Sequence, residues 1–226
     1  PSNIERAKIV VEKSIEKHGG WIAYDSLSSL SYSKRILLFD SSGKLESDRI
    51  QYHTYKLRPN LSGSSIKWVT DGDTISVVYN DRSAVKMVNG IVEEGSEKAA
   101  LNTFLSGYYV TFQPVKLMDN PDQLFYAGLD SLWNGTEVQV VQPLDTTANA
   151  DEWWYYFDAK SHLLLANMVK HNIRYSFIEN LVYDSSTGIT FNAHRKSYFV
   201  DSHRKKKYLR AEYFYSDYQA QFKEAY

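Results

Sequence analysis

The spacing of apolar positions changes along this chain from a helical period to an extended one. Ile4, Ala7, Val11 and Ile15 recur on one stripe of a helix. Ser2 and Glu5 supply the S-x-x-E capping box that starts it. His18-Gly19-Gly20 supplies the stop, because glycine tolerates the left-handed backbone that ends a helix. Trp21 is expected under the helix end. A helix with a single apolar stripe needs a surface to lie on.

From Leu30 onward the period is two. Leu30, Tyr32, Lys34, Ile36 and Leu38 share one side of a strand, and Ser31, Ser33, Arg35, Leu37 and Phe39 the other. Asp40-Ser41-Ser42-Gly43 reads as a turn into a second strand over Asp48–Leu57. Strands are predicted at Ser65–Thr70, Thr74–Asn80, Val85–Val88 and Ile91–Glu93. Asn89-Gly90 joins the last two as a two-residue hairpin.

Ser96–Tyr109 breaks the alternation, and Ala99, Ala100, Leu101, Phe104, Leu105 and Tyr108 predict an inserted helix. Strands then resume at Leu124–Leu132, Glu137–Pro143, Glu152–Asp158, Leu163–His171, Tyr175–Tyr183, Ile189–Val200 and Lys206–Ser216, with Thr146–Ala150 as a polar loop. About ten to twelve strands follow one another as hairpins, with no linker long enough to divide the chain. The fold class is therefore mainly β (α+β). A curled antiparallel half-barrel sheet is expected, with the N-terminal helix and the helical insert covering its concave face. Residues 1–226 are expected to form one domain. Where the helices leave the concavity unfilled, a pocket should remain.

Composition narrows the function. The 226 residues carry 26 Lys+Arg against 27 Asp+Glu, so nothing points to a nucleic-acid partner. The absence of cysteine excludes disulfides, thiolate metal sites and a cysteine nucleophile. The six histidines match no short metal-ligand spacing, and no phosphate-binding glycine motif or nucleophile elbow occurs. No cofactor is expected, and the turn aspartates read as solvated caps. The chain begins at Pro1, and a leader is assumed to have been removed before it.

The aromatic load is the unusual quantity: 18 Tyr, 10 Phe and 5 Trp, or 15% of the chain. A tyrosine offers an apolar body and a hydroxyl that seeks a partner. Rows of such residues on strands suit a pocket for an amphiphilic ligand. The candidate lining is Tyr32, Ile36, Tyr52, Trp68, Phe104, Tyr108, Trp153, Tyr155, Phe157 and Tyr213. Plain packing of aromatics in a β-rich core is the competing reading. The run Arg204, Lys205, Lys206 and Lys207 is a candidate contact for an anionic membrane surface, or else a solvated hairpin tip.

Several of these segments together resemble a known family. They are the helix ending His18-Gly19-Gly20-Trp21, the insert Ser96–Tyr109, Asn134-Gly135-Thr136-Glu137-Val138, the hairpin Tyr155–Leu164 and Gly188-Ile189-Thr190-Phe191. The order is similar to bacterial outer-membrane lipoprotein carriers of the LolA/LolB-like fold, in particular an uncharacterised envelope lipoprotein branch. Asn192 stands where that pattern commonly has Pro. The resemblance implies a half-barrel with helices as a lid, and an acyl chain, lipid or lipidated partner in its concavity. It also implies a non-enzymatic protein of the periplasm or outer membrane. Two other readings stay open: a protein-interaction module without a pocket, and an enzyme whose His and carboxylates converge in the fold.

Overall fold

A computed structural model describes residues 1–145 and 150–223. The predicted loop at Thr146–Ala150 therefore falls mostly outside the described residues. Helix α1 (Asn3–Lys17) begins with both halves of the capping box. The Glu5 amide donates to Ser2 Oγ at 3.2 Å, and the Ser2 amide donates to Glu5 Oε2 at 2.6 Å. Its buried residues are Ala7, Val10, Val11, Ser14 and Ile15, so the stripe is the one expected except that Ile4 is exposed. A short helix α2 (Gly20–Ser26) follows, entered through Gly19 at φ 130°.

The strands are β1 (Leu27–Phe39), β2 (Leu45–Lys56), β3 (Ser64–Thr70), β4 (Asp73–Asn80), β5 (Ser83–Val88) and β6 (Ile91–Val92). After helix α3 (Glu97–Thr111) come β7 (Leu124–Ser131), β8 (Glu137–Pro143), β9 (Glu152–Asp158), β10 (Leu164–His171), β11 (Arg174–Asp184), β12 (Phe191–Val200) and β13 (Lys206–Phe222). All pair antiparallel in one open sheet of thirteen strands, in the order β6-β5-β4-β3-β2-β1-β13-β12-β11-β10-β9-β8-β7. The last strand of the chain thus occupies the middle of the sheet, against the first.

The two helices of the lid cover opposite wings of one face. Helix α1 packs on β7 and β8, and α3 packs on β4 and β5. The main core lies between them and the sheet. Leu30, Tyr55, Ile66, Val77, Phe104, Val141 and Phe157 are among its buried members. Tyr79 stacks on Phe104 at 4.6 Å between ring centres, and Tyr55 meets Phe104, Tyr108 and Phe112. His18, at the C-terminal end of α1, ties this layer to the far strands. Its Nε2 accepts from the Leu164 amide at 3.3 Å, and its Nδ1 lies 2.9 Å from the Thr190 carbonyl oxygen.

A second, smaller cluster sits on the convex face, where alternation places Val138, Val140, Tyr156, Met168 and Phe177. Trp133, in the β7–β8 turn, folds over it at 4.6 Å from the Phe177 ring. The basic run lies here too, which changes its meaning. Arg204 pairs with Asp130 at 2.8 Å and stacks on Tyr156. Lys206 lies 3.8 Å from the Trp133 ring centre and 3.9 Å from that of Tyr198, and pairs with Glu179. Two of the four cations, Arg204 and Lys206, thus cover aromatic rings and pair with carboxylates, and Lys205, Lys206 and Lys207 are exposed.

Candidate functional site

Between α3 and the β8–β9 wing the concave face is not filled. A cleft of about 810 Å³ opens there. Leu105, Tyr108 and Tyr109 of α3 form one wall, and Pro143, Trp153 and Tyr155 face them. The wall on α3 follows from its sequence: Leu105, Tyr108 and Tyr109 are three and four residues apart, hence neighbours on one helix face. Phe104 and Phe112 turn to the sheet, where they are buried. The opposite wall follows from the period of two on β9, which puts Trp153, Tyr155 and Phe157 on the concave side. Trp153 and Tyr155 are stacked on each other, with ring planes 13° apart.

Polar groups border this apolar space. Gln113 Nε2 donates to the Tyr155 hydroxyl at 3.3 Å, and its Oε1 is buried without a partner. Lys116 pairs with Asp119 and lies 5.0 Å from the Tyr108 ring centre. Asp151 at the rim pairs with His171 at 2.6 Å. Burial raises the pKa of Tyr108, Tyr109 and Tyr155, so these hydroxyls are neutral donors and acceptors at physiological pH.

The ten residues named from the sequence fall in four places. Tyr108, Trp153 and Tyr155 line the cleft. Tyr32, Phe104 and Phe157 are buried in the core beside it. Ile36, Trp68 and Tyr213 share the concave face further along the sheet, by their pairing with Arg49, Gln51 and Ile36 respectively. Tyr52 is on the convex face and 56% exposed, so it does not belong to the concave lining. Its neighbours Gln51 and His53 face inward instead, and the phase of the strand leaves Tyr52 outside.

The inward row of β1 and its neighbours carries groups that the aromatic pattern did not announce. His53 is buried, stacked on Tyr32 at 4.7 Å, with the Tyr55 hydroxyl at 3.0 Å from Nδ1 and Gln51 Oε1 at 3.2 Å from Nε2. Burial, reinforced by the charge of Lys34, pushes its pKa down to about 3. Arg195 is 4% exposed; its Nε donates to Asn180 Oδ1 and its Nη2 to Asn167 Oδ1, each at 2.7 Å. The sequence did hold one signal: Lys34 stands inside an otherwise apolar inward row. Among the described residues no group of three His, Asp or Glu side chains converges as metal ligands would. No helix among the described residues is long and apolar enough to cross a membrane.

No family model matches the sequence, and no curated protein matches it. Solved structures do match the fold over nearly the whole chain. An outer membrane lipoprotein-sorting protein domain from Vibrio parahaemolyticus superposes with a TM-score of 0.58 at 11% identity, covering 97% of this chain and 94% of the other. A LolA superfamily protein from Nitrosomonas europaea gives 0.56 at 9% identity, covering 95% and 93%. A DUF1329 family protein from Desulfovibrio piger gives 0.52 at 10% identity, covering 98% and 94%. The chain has a LolA-like fold, as its strand and helix order implied.

Proposed function

We propose that this protein is a non-enzymatic binding protein of the bacterial envelope, in the periplasm or at the outer membrane. Its ligand is a lipid, an acyl chain or the lipid moiety of a partner protein, held in the cleft between α3 and β9. The observation that carries this reading is the cleft itself. Its volume of about 810 Å³ falls in the range typical of small-molecule sites, and aromatic rings form both walls. Each methylene moved there from water contributes about 0.8 kcal/mol, from which the cost of ordering the chain is subtracted. The LolA-like fold supports the same reading, because an open half-barrel under a helical lid leaves a concave apolar surface free for a guest. The chain is read as a single domain.

Titration with decanol, followed by tryptophan fluorescence in the wild type and by calorimetry in the wild type and variants, tests the proposal. Saturable binding that weakens about tenfold or more in Trp153→Ala and Tyr108→Ala is expected. Absence of saturable binding in the folded wild-type protein would overturn it.

A further inference from the structure

Among the described residues, three cations on the concave face have no carboxylate partner. Lys34 on β1, Arg49 on β2 and Arg195 on β12 all point to the side that the helices cover. Their registers show this: Ile36 lies opposite Arg49 on one flank and Tyr213 on the other, and Tyr213 lies opposite Arg195. Lys34 and Arg49 are diagonal neighbours on one face, a spacing of roughly 7–8 Å. Some lysines and arginines pair with carboxylates, as Arg35 does with Asp48 and Arg210 with Glu46, and others, such as Lys205 and Lys207, are exposed to water. Among the described residues, none of these three forms such a pair.

Aromatic rings and amide oxygens surround them, and the Tyr215 hydroxyl hydrogen-bonds both Lys34 and Arg195. Lys34 Nζ is 5.0 Å from the Tyr213 ring centre and 5.5 Å from that of Tyr215. The Arg49 guanidinium lies 5.3 Å from the Trp68 ring centre, and its Nε is buried with no hydrogen-bond partner. Arg195 is held by two asparagine oxygens. A buried cation without a counter-charge is costly, and ring faces and amide oxygens offset only part of that cost. Tyr215 registers the resulting field. Burial alone would raise its pKa, yet Lys34 and Arg195 outweigh burial and hold it below the usual tyrosine range.

We propose that Lys34 and Arg195, which meet at Tyr215, form an anion site on the concave face that takes a phosphate or carboxylate group, with Arg49 flanking Lys34. Lys34, Arg49 and Tyr213 are only partly buried, which leaves the site open to solvent. It adjoins the cleft: Tyr155 of the cleft wall is opposite Asn167, and Asn167 accepts from Arg195. A ligand with an apolar chain between α3 and β9 can therefore place an anionic head at Arg195. That connection rests on the cleft reading, whereas the anion site rests on its own residues.

Calorimetry with three probes separates the sources of the anion: decanoate, decanol and inorganic phosphate at equal ionic strength. We expect decanoate to bind about tenfold or more tightly than decanol. Lys34→Gln with Arg49→Gln should remove that difference and leave decanol binding unchanged. Lys34→Arg should retain the difference, and circular dichroism checks that each variant is folded. Phosphate binding that depends on Lys34 and Arg49, with no binding of either chain, supports the anion site for a free anion and overturns the cleft reading. Equal affinity for decanol and decanoate, with no phosphate binding, overturns the anion site and leaves the cleft reading standing. If none of the three probes binds, both fall.

Discussion

A β-carbon on Gly107 would lie 3.0 Å from the Tyr55 hydroxyl oxygen and 3.1 Å from Ile66 Cδ1. Helix α3 thus touches β2 and β3 with its backbone, and the absence of a side chain sets the depth at which the lid sits. Thr111, one turn on, fixes the same face: it donates to the Gly107 carbonyl at 2.7 Å, and its Oγ1 is 2.7 Å from the Tyr32 hydroxyl. Gly107→Ala gains about 1 kcal/mol of helix propensity but meets an overpacking cost of about 1–3 kcal/mol. Net destabilisation of about 1 kcal/mol is expected in urea unfolding. Combining it with Tyr55→Phe should cost less than the sum of the two single changes, since the hydroxyl is the nearest obstacle.

Acid should weaken the fold through His53. Its folded pKa of about 3 lies below the ordinary histidine value near 6.5. The unfolded chain therefore binds the proton first as pH falls. The stability that this neutral imidazole supplies is complete above pH 6.5 and is lost progressively between about 6.5 and 3. The slope approaches about 1.4 kcal/mol per pH unit. His18, also held low chiefly by burial, acts in the same direction. Carboxylates held low by hydrogen bonds, such as Asp48 beside Arg35, act in a lower window, below about pH 4. Urea unfolding from pH 7 to pH 4.5 should show the decline, and His53→Gln should flatten it.

Trp133 is 41% exposed, yet it is the cover of the convex cluster. Its Nε1 donates to the Arg204 carbonyl at 2.9 Å, which pins the β7–β8 turn to the β12–β13 turn. Trp133→Ala should cost about 2 kcal/mol, less than for a fully buried ring. It should also uncover Phe177 and increase the binding of a hydrophobic dye. An unchanged midpoint with unchanged dye binding would show that the cover is dispensable.

Tyr215 should ionise before the other buried tyrosines. Absorbance at alkaline pH is expected to show an early phase that Tyr215→Phe removes. Lys34→Gln should move that phase to higher pH, because one of the two cations that stabilise the phenolate is gone. A phase that ignores Lys34 would mean that the lysine charge does not reach the ring.

Signals in the sequence are legible where the chemistry is local. The capping box at Ser2 and Glu5 is present, and Asn89 and Gly90 both take positive φ, 51° and 83°, as their hairpin requires. The sequence pattern ends the final strand at Ser216, six residues short of its observed end at Phe222. Asp217 does take φ 58°, but the ladder passes it through a register shift and runs to Phe222. The cleft was legible in kind through Tyr108, Trp153 and Tyr155. The aromatic pattern puts Tyr52 in the lining, but it faces outward: alternation gives two faces, and only the helices decide which is inner. Arg195 gave no signal: Asn192-Ala193-His194-Arg195-Lys196 has no apolar alternation, and its partners Asn167 and Asn180 come from other strands.

The position of β13 at the centre of the sheet has a consequence for assembly. The chain makes two meanders, β1 to β6 and β7 to β13, and a single seam, β1 against β13, joins them. That seam pairs Leu27 with Phe222, so it can close only after both meanders have been synthesised. Contacts of such sequence separation form slowly and late. Lys34 stands on one side of the seam and Arg195 on the other, so an anion held between them would act as a clasp across the joint.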